Sequence, residues 1–276
     1  MKHPLVSVIM ATRNRAGFLK ESVGSIVAQT YAFFEFLIVD DASSDGTPDV
    51  LGEYAARDPR VRVLRNTSNI GPAKSRNKAL KEAQGRYVAI LDDTDIALPE
   101  RLRLQVDFLE NNPSYALVGS WVLEESRGSS YLRKLPIDSV AIKRALIFRN
   151  PFVHSTVMMR KEVLDKVGLY DERWKYAHDY ELYFRIASSY NIANLPIVLS
   201  RNREAANSIT AAKNREQALF ALKARQKALK EGLYPKSVQA SLGIVRGYLS
   251  YLIPVSLKRM AQGVKRLLQK RADSYV

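Results

Sequence analysis

Three carboxylates stand close together at the end of an apolar run in this sequence. Asp92, Asp93 and Asp95 follow the run at residues 87–91, and Thr94 lies between the last two. Crowded carboxylates repel one another and lose hydration when they are buried, and a turn needs only one or two of them. Hard divalent cations prefer carboxylate oxygens, and a bound diphosphate supplies the remaining ligands. The group therefore indicates a metal–diphosphate site, with a solvated acidic loop as the alternative.

A second polar group, DDASSDGT at residues 40–47, follows another apolar run. Asp-rich segments that contain Gly commonly form turns and helix N-caps, and Asp45 or Thr47 would cap the helix that follows. The alternative is that one carboxylate of this group accepts hydrogen bonds from a nucleotide base and a ribose hydroxyl. The residues alone leave both interpretations open.

The alternation of apolar runs with helical spacings predicts where these groups lie. Strands are predicted at residues 5–10, 35–41, 61–64 and 87–91, and helices at residues 16–28, 47–56 and 72–83. Apolar strands separated by helices favour βαβ units and a mostly parallel sheet. Right-handed crossovers bring the carboxyl ends of such strands to one edge, where ligands bind. The polar groups at residues 11–15, 40–47 and 92–95 are therefore predicted to share one site.

The pattern becomes less regular after residue 113. Strands are predicted at residues 116–123 and 151–160, so that His154 lies on a strand. Helices are predicted at residues 177–189 and near 214–231. A lone His on a strand is more often a hydrogen-bonded core residue than a ligand.

Five segments resemble, in the same order, those of glycosyltransferase family 2, whose members have the GT-A fold. They are VSVIMATRNR, FEFLIVDDASSDGT, NIGPAKSRNKALKEAQGRYVAILDDTDIALPERL, HSTVMMRKEVLDKVGLYDE and YAHDYELYFRIA. The resemblance implies an α/β GT-A catalytic domain over residues 1–210, followed by a basic helical region over residues 211–276. It also implies transfer of a sugar from a nucleoside diphosphate sugar, with a UDP-sugar favoured, to a glycan or lipid-linked acceptor.

The resemblance further implies which residues bind the nucleotide. Asp41 is expected to read the base with Asp40 beside it, in a pocket lined by Ala11, Thr12 and Arg13. A second set of nucleotide-site residues lies further along the chain and comprises Arg76, Asp92 and Asp93. A solvated helix arginine is the alternative for Arg76.

The metal site is the least regular part of the resemblance. Asp93 and Asp95 are expected to hold Mg²⁺ or Mn²⁺, yet relatives commonly read Leu-Asp-x-Asp-Asp, which places Thr94 where a metal-binding Asp is expected. A hydroxyl is a poor substitute for a carboxylate on a hard cation. Either Asp93 and Asp95 bind the metal, or Asp92 and Asp95 do so through water, or metal binding is weak. A catalytically impaired protein that binds a sugar nucleotide or a partner is therefore the alternative function.

Asp179 resembles the general base of the family. This residue takes the proton of the acceptor hydroxyl during a displacement that inverts the anomeric carbon. Relatives commonly have Glu-Asp where this chain has His178-Asp179, so the base itself is retained. His154, Trp174 and His178 are expected to border the acceptor or donor-sugar pocket.

Composition and charge limit the other functions. The chain has 276 residues, 46% hydrophobic and 26% charged, and no Cys, which excludes disulfides, thiolate metal sites and Cys nucleophiles. No window of 18 apolar residues exists, so no transmembrane helix is expected and the predicted location is cytoplasmic. The net charge is +15, but residues 211–276 hold 14 Lys or Arg and only 3 Asp or Glu. Because this excess is confined to the C-terminal region, no nucleic-acid partner is expected.

Residues 253–276 combine apolar residues at helical spacing with basic residues at the other positions. This pattern predicts an amphipathic helix that lies on the inner face of the cell membrane, attracted by anionic lipid. A helix packed on its own domain with a solvated basic face is the alternative.

Overall fold

The protein is described from a computed structural model, which defines residues 3–126, 129–203 and 214–252. In this part of the chain nine strands form one sheet, in the order β3-β2-β1-β4-β8-β6-β9-β5, and β7 pairs with β6. The strands are β1 (Val6–Thr12), β2 (Phe34–Asp40), β3 (Val61–Arg65), β4 (Tyr87–Ile90), β5 (Ile96–Ala97), β6 (Tyr115–Ser126), β7 (Ser129–Arg133), β8 (Met158–Arg160) and β9 (Asn191–Arg203).

Helices connect and cover these strands. They are α1 (Ala16–Val27), α2 (Thr47–Arg57), α3 (Pro72–Glu82), α4 (Arg101–Asn111), α5 (Ser139–Leu146), α6 (Lys161–Val167), α7 (His178–Ser189), α8 (Asn214–Lys230) and α9 (Val238–Leu252). The strands and helices predicted in the first ninety residues are present, with ends that differ by one or two residues.

The first four strands form the parallel half of the sheet. β1 lies between β2 and β4, and β3 pairs with β2, all in parallel. Their carboxyl ends therefore meet at one edge, and Thr12 stands opposite Asp40 in the ladder. Antiparallel β8 then joins β4 to the second half of the sheet, where β6 and β9 run parallel. The predicted α/β architecture with a mostly parallel sheet flanked by helices is confirmed.

Alternating side chains of the buried strands supply the cores on the two faces of the sheet. Ile9, Leu37 and Val88 point into one hydrophobic cluster, and their neighbours Val8 and Phe36 point into the other. Because successive side chains of a strand point to opposite faces, a strand covered on both sides is apolar throughout. This explains the unbroken apolar runs that precede the polar groups.

The prediction of one strand over residues 151–160 is wrong. His154–Thr156 form a 3₁₀ turn, and only Met158–Arg160 form a strand. The backbone amide of Thr156 donates to the carbonyl of Val153, and the Thr156 hydroxyl donates to the same carbonyl. Because polar side chains here bond locally, they interrupt the ladder and place His154 on a turn.

Helices α8 and α9 pack on the part of the chain that precedes them. Ala224, Ala228 and Ala240 belong to the same core cluster as the buried residues of α7. Buried Arg225 of α8 donates to the hydroxyl of Tyr180 at 3.1 Å, to the carbonyl of Phe148 at 2.7 Å and to the carbonyl of Gly243 at 3.3 Å. The division at residue 210 stays a prediction, and the helix predicted over residues 253–276 lies outside the described residues.

Candidate active site

The loops that carry the predicted site residues have unusual backbone conformations. Among the described residues, three that are not Gly have a positive φ: Asn14 (54°), Ala42 (57°) and Ala177 (55°). Asn14 follows β1, Ala42 follows β2, and Ala177 precedes α7. Non-glycine residues adopt this region at a cost and cluster at functional sites. All three turns lie next to residues that the sequence assigns to nucleotide binding or catalysis.

Hydrogen bonds between the loop after β1 and the loop after β2 hold the carboxyl ends of these strands together. The backbone amide of Asn14 donates to the Ser43 hydroxyl at 2.9 Å, and that of Arg15 donates to the Thr47 hydroxyl at 2.9 Å. Asp45 accepts from the amides of Thr47 at 3.0 Å and Ala16 at 3.2 Å. Asp45 therefore accepts from the first amide of α1 and from the first amide of α2, whereas the Thr47 hydroxyl accepts from the residue before α1.

Asp41 is held by three hydrogen bonds. Its carboxylate accepts from the side-chain amide of Asn66 and from the backbone amides of Ile70 and Gly71, each at 2.9 Å. A carboxylate offers about four lone-pair sites, so one of them is left for a ligand. Base reading by Asp41 stays a prediction, and its first role in the structure is to fix the turn into α3.

Asp40 is buried beside the end of β3. Its carboxylate accepts from the backbone amide of Ser43 at 3.0 Å and lies 3.4 Å from Nε of Arg65. A cavity of about 510 Å³ opens at this point, lined by Ala42, Ser43, Arg65, Asn66 and Thr67. This volume is in the range of small-molecule pockets.

The end of β1 borders the same region. Thr12 is buried opposite Asp40, Ala11 is half-buried and Arg13 is exposed. The residues predicted to line a nucleotide pocket therefore lie together at the carboxyl ends of β1, β2 and β3.

Asp95 is buried in the turn after β4. It is 2% exposed, and one carboxylate oxygen accepts from the backbone amide of Arg203 at 3.1 Å and from the Thr94 hydroxyl at 3.2 Å. The other oxygen accepts from the Ser155 hydroxyl. Burial and the charge of Asp92 raise the pKa of Asp95 to about 7. The expected pairing of Asp93 with Asp95 on one cation does not fit this geometry, because Asp95 already holds the turn together.

The other two carboxylates of the turn point in different directions. Asp93 lies 3.8 Å from Nε of Arg15, and burial raises its pKa to about 6 against the opposing effects of Thr12 and Arg15. Asp92 is paired with Arg76. In the described chain no group of three His, Asp or Glu residues is arranged to hold a metal ion. Asp95 is enclosed by hydrogen bonds, Asp92 is paired with Arg76, and Thr94 offers only a neutral hydroxyl, so the carboxylates of the turn do not form a pair that fits a divalent cation.

Arg76 is the centre of a buried polar cluster. Its Nη2 donates to Oδ1 of Asp92 at 2.6 Å, and its Nη1 lies 3.0 Å from Nε2 of His178. Nδ1 of His154 lies 3.4 Å from the same Asp92 oxygen, and Nε2 of His154 lies 2.9 Å from the Tyr170 hydroxyl. Burial acts to raise the pKa of the Asp92 carboxyl. Arg76 and His154 together have a larger, opposite effect and hold this pKa well below its usual range.

His178 is neutral in this cluster. Burial lowers its pKa to about 3, and the charge of Arg76 acts in the same direction. Because Arg76 has only donors, Nε2 of His178 must accept, and the ring proton is on Nδ1. Nδ1 is buried and has no hydrogen-bond partner among the described residues. It is therefore an unpaired donor enclosed within the cluster.

Asp179 lies in the first turn of α7, directly after His178. Its Oδ2 accepts from the side-chain amide of Asn150 at 2.8 Å, and Asn150 is in turn fixed by the backbone amide of Phe152 at 3.1 Å. Its other oxygen, Oδ1, accepts no hydrogen bond from the residues that the structure describes. The carboxylate is half-buried, so it is oriented on one side and accessible on the other.

Trp174 packs between the catalytic part and α8. Its indole nitrogen donates to Asp171 at 3.1 Å, and its ring meets that of Phe220 edge to face at 5.9 Å. Stacking of Trp174 on a sugar stays a prediction, since the ring already has this aromatic neighbour.

Sequence reasoning missed several residues of the site. Asn150, Ser155, Tyr170 and Arg203 bind the predicted residues but belong to segments without a strong local pattern. Ser155 was within a resembling segment, as was Tyr170, and the polar character of both was the available signal. For Asn150 and Arg203 no pattern indicated a contact across the fold.

Solved structures show that this architecture is the GT-A fold. Staphylococcus aureus TarS in complex with UDP-GlcNAc superposes with a TM-score of 0.68 at 19% identity, over 89% of this chain and 72% of TarS 1-349. The mannosyltransferase PcManGT from Pyrobaculum calidifontis, in complex with GDP-Man and Mn²⁺, gives 0.67 at 20% identity, over 99% and 83%. At these identities the likeness concerns the fold, and it confirms the predicted fold class.

Sequence relatives establish the family. The profile of Glycosyl transferase family 2 matches residues 7–168. An uncharacterized glycosyltransferase of Methanocaldococcus jannaschii is 38% identical over 196 residues, which cover 69% of this chain and 67% of the relative. Escherichia coli WfgD, a UDP-Glc:alpha-D-GlcNAc-diphosphoundecaprenol beta-1,3-glucosyltransferase, is 31% identical over 231 residues, covering 77% and 82%. The chain belongs to glycosyltransferase family 2, as its sequence predicts.

Proposed function

We propose that this glycosyltransferase moves a sugar from a UDP-sugar to a hydroxyl of a glycan or lipid-linked acceptor, with inversion at the anomeric carbon. WfgD is named for a UDP-sugar donor and a diphosphoundecaprenol-linked acceptor, and TarS was solved with UDP-GlcNAc. Both names support this choice of donor class. We propose that the uracil base of the donor binds in the cavity beside the ends of β2 and β3.

The observation that carries the proposal is the arrangement of Asp179. Asn150 fixes one carboxylate oxygen and leaves the other accessible, next to the cluster formed by Arg76, Asp92 and His178. A general base needs this combination of fixed orientation and free lone pairs. We propose that Oδ1 of Asp179 accepts the proton of the acceptor hydroxyl during the reaction.

The reaction is a single displacement. The acceptor oxygen forms a bond to the anomeric carbon while the bond from that carbon to the diphosphate oxygen breaks, and the nucleoside diphosphate leaves with the bonding electrons. The acceptor proton passes to Asp179, so charge and atoms balance. Developing charge on the diphosphate requires fixed cations or hydrogen-bond donors nearby, and we assign this role to Arg76.

A divalent cation, when bound in such a site, neutralises charge on the leaving diphosphate. PcManGT was solved with Mn²⁺, but the carboxylates of this chain do not fit such an ion. We therefore assign no step to it. The same misfit favours the second candidate, a protein that binds the sugar nucleotide without turning it over.

The test is the substitution Asp179→Asn, compared in UDP binding and in sugar transfer. We expect the turnover number to fall at least about 10²-fold, because the amide cannot take the acceptor proton. UDP affinity measured by calorimetry should stay within about twofold, because the side-chain amide of Asn150 can still donate to the amide oxygen of the substituted residue. Asp165→Asn on α6, where the carboxylate is 60% exposed, is the matched control and should leave both quantities unchanged.

Transfer that survives Asp179→Asn would disprove the assignment of the base. UDP binding by the wild-type protein without transfer from any UDP-sugar would favour the second candidate. Absence of UDP binding would contradict both candidates.

A further inference from the structure

Helix α9 presents an apolar face that no described residue covers. The side chains of Val238, Leu242, Val245, Leu249 and Leu252 are 54 to 79% exposed. Their spacing of three or four residues places them on one line along the helix, at about 100° per residue. We call this row the α9 stripe. Single exposed apolar residues are ordinary, but a continuous row of this kind marks an interaction surface.

The opposite face of α9 is fixed to the protein. Ala240, Gly243 and Gly247 are buried, and a Cβ atom on Gly243 would lie 2.6 Å from the carbonyl oxygen of Ile147. A Cβ atom on Gly247 would lie 2.8 Å from Cδ1 of Leu222. Because only the glycine face allows this close approach, the helix cannot rotate to bury the α9 stripe.

Cationic groups stand beside the α9 stripe. Arg246 of α9 lines a groove of about 310 Å³ together with Arg144 of α5 and Arg149, which follows α5. The sequence that continues after α9 carries six more basic residues and one acidic residue: Lys258, Arg259, Lys265, Arg266, Lys270, Arg271 and Asp273. A second copy of this surface would bring like charges together, whereas an anionic surface would neutralise them. The charge therefore favours a lipid surface over self-association.

We propose that the α9 stripe lies in the interfacial region of an anionic lipid membrane, with the neighbouring Arg residues on the headgroups. The geometry suits an interfacial helix, because no described helix is long and apolar enough to cross a membrane. The sequence predicts a membrane contact only for residues 253–276. The present inference adds a rigid contact surface on the described protein, and it does not depend on the proposed sugar transfer.

The first test measures co-sedimentation of the full chain with vesicles of phosphatidylcholine and phosphatidylglycerol. The triple substitution Leu242→Ser, Val245→Ser and Leu249→Ser should weaken binding at least about tenfold, because interfacial affinity scales with the apolar area buried. Ile197→Ser removes an apolar side chain that is 40% exposed on β9 and should have no effect. Circular dichroism and urea unfolding establish that the variants remain folded, which is expected since the replaced side chains are exposed.

A second measurement locates the contact directly. The sequence contains no Cys, so Leu249→Cys can be labelled alone with an environment-sensitive fluorophore. Anionic vesicles should shift its emission to the blue. The same label at Glu53→Cys on α2, a side chain that is 66% exposed, should not respond.

Binding that the triple substitution leaves unchanged, or no vesicle binding by the wild-type chain, would overturn the proposal. An unshifted label at position 249 during vesicle binding would assign the contact to residues 253–276 alone. A wild-type dimer in light scattering that the triple substitution converts to monomer, without vesicle binding, would assign the α9 stripe to a second copy.

Discussion

Thr94 and His178 are the two residues at which this site differs from the common pattern of its family. The resemblance to the family implies a carboxylate at both positions. His178 contacts Arg76, which is paired with Asp92, and Thr94 contacts Asp95. Each replacement removes one negative charge. Relative to that pattern, the two residues together remove two negative charges from the site.

The first residue-scale prediction concerns Thr94→Asp. A carboxylate at this position adds a charged ligand to the turn, and affinity for hard cations rises with the number of such ligands. We expect Mn²⁺ to bind at least about tenfold more tightly in the presence of UDP, as measured by calorimetry. Thr94→Ser keeps the hydroxyl and should match the wild type. Equal Mn²⁺ affinity of all three proteins would show that residue 94 does not face the cation.

The second residue-scale prediction concerns His178. Its folded pKa of about 3 lies below the ordinary value of 6.5, so the unfolded chain binds a proton between these limits and the folded protein does not. The free energy of unfolding should therefore fall as the pH falls from about 6.5 towards 3. His178→Gln cannot titrate, so between pH 7 and 4 it should lose less stability than the wild type, by on the order of 3 kcal/mol.

Urea unfolding of both proteins across this pH range checks the sign. The difference between the two proteins cancels the titration of groups that they share. Parallel pH profiles would mean that His178 is protonated in the folded state, and its role as a neutral donor would then fail.

At the scale of elements, the docking of α9 depends on glycine. Gly243→Ala should lower the free energy of unfolding by about 1 to 3 kcal/mol, because the added methyl group meets the backbone at Ile147 and overpacks the contact. Gly52 of α2 has no atom within 4 Å of a Cβ position. Gly52→Ala should instead stabilise by about 0.5 to 1 kcal/mol, through helix propensity alone.

Urea denaturation measures this matched pair of substitutions. Opposite signs are expected although the chemical change is the same. If both variants were stabilised, the close contact of α9 with residue 147 would not exist in solution.

At the scale of the whole molecule, local pattern predicted half of the sheet. The runs that form β1, β2, β3 and β4 are apolar throughout and separated by helical spacings, so short-range periodicity was enough. β5 is two residues long and pairs with β9 across about a hundred residues, and β8 is three residues long. Such pairings depend on tertiary contacts that no local window contains.

The same distinction applies to the site. Asp40, Asp92 and Asp179 could be predicted because they follow strands or stand in resembling segments. Ser43 and Asn150 donate to the carboxylates of Asp40 and Asp179, and the Ser155 hydroxyl accepts from the backbone amide of Asp92. Ser155 and Asn150 are distant in sequence from the residues they bind. The resemblance identified the chemical groups, and only the fold supplied their orientation.

Arg225 connects two surfaces that have been described separately. Its guanidinium binds the carbonyl of Gly243 in α9 and the hydroxyl of Tyr180 in α7, one residue after Asp179. Hydrogen bonds of a buried charged group are among the stronger ones in a protein, at about 1.5 to 3 kcal/mol each. A buried side chain therefore links α9 to the helix that carries the proposed base. The orientation of this protein on a surface would then fix the direction from which an acceptor can approach.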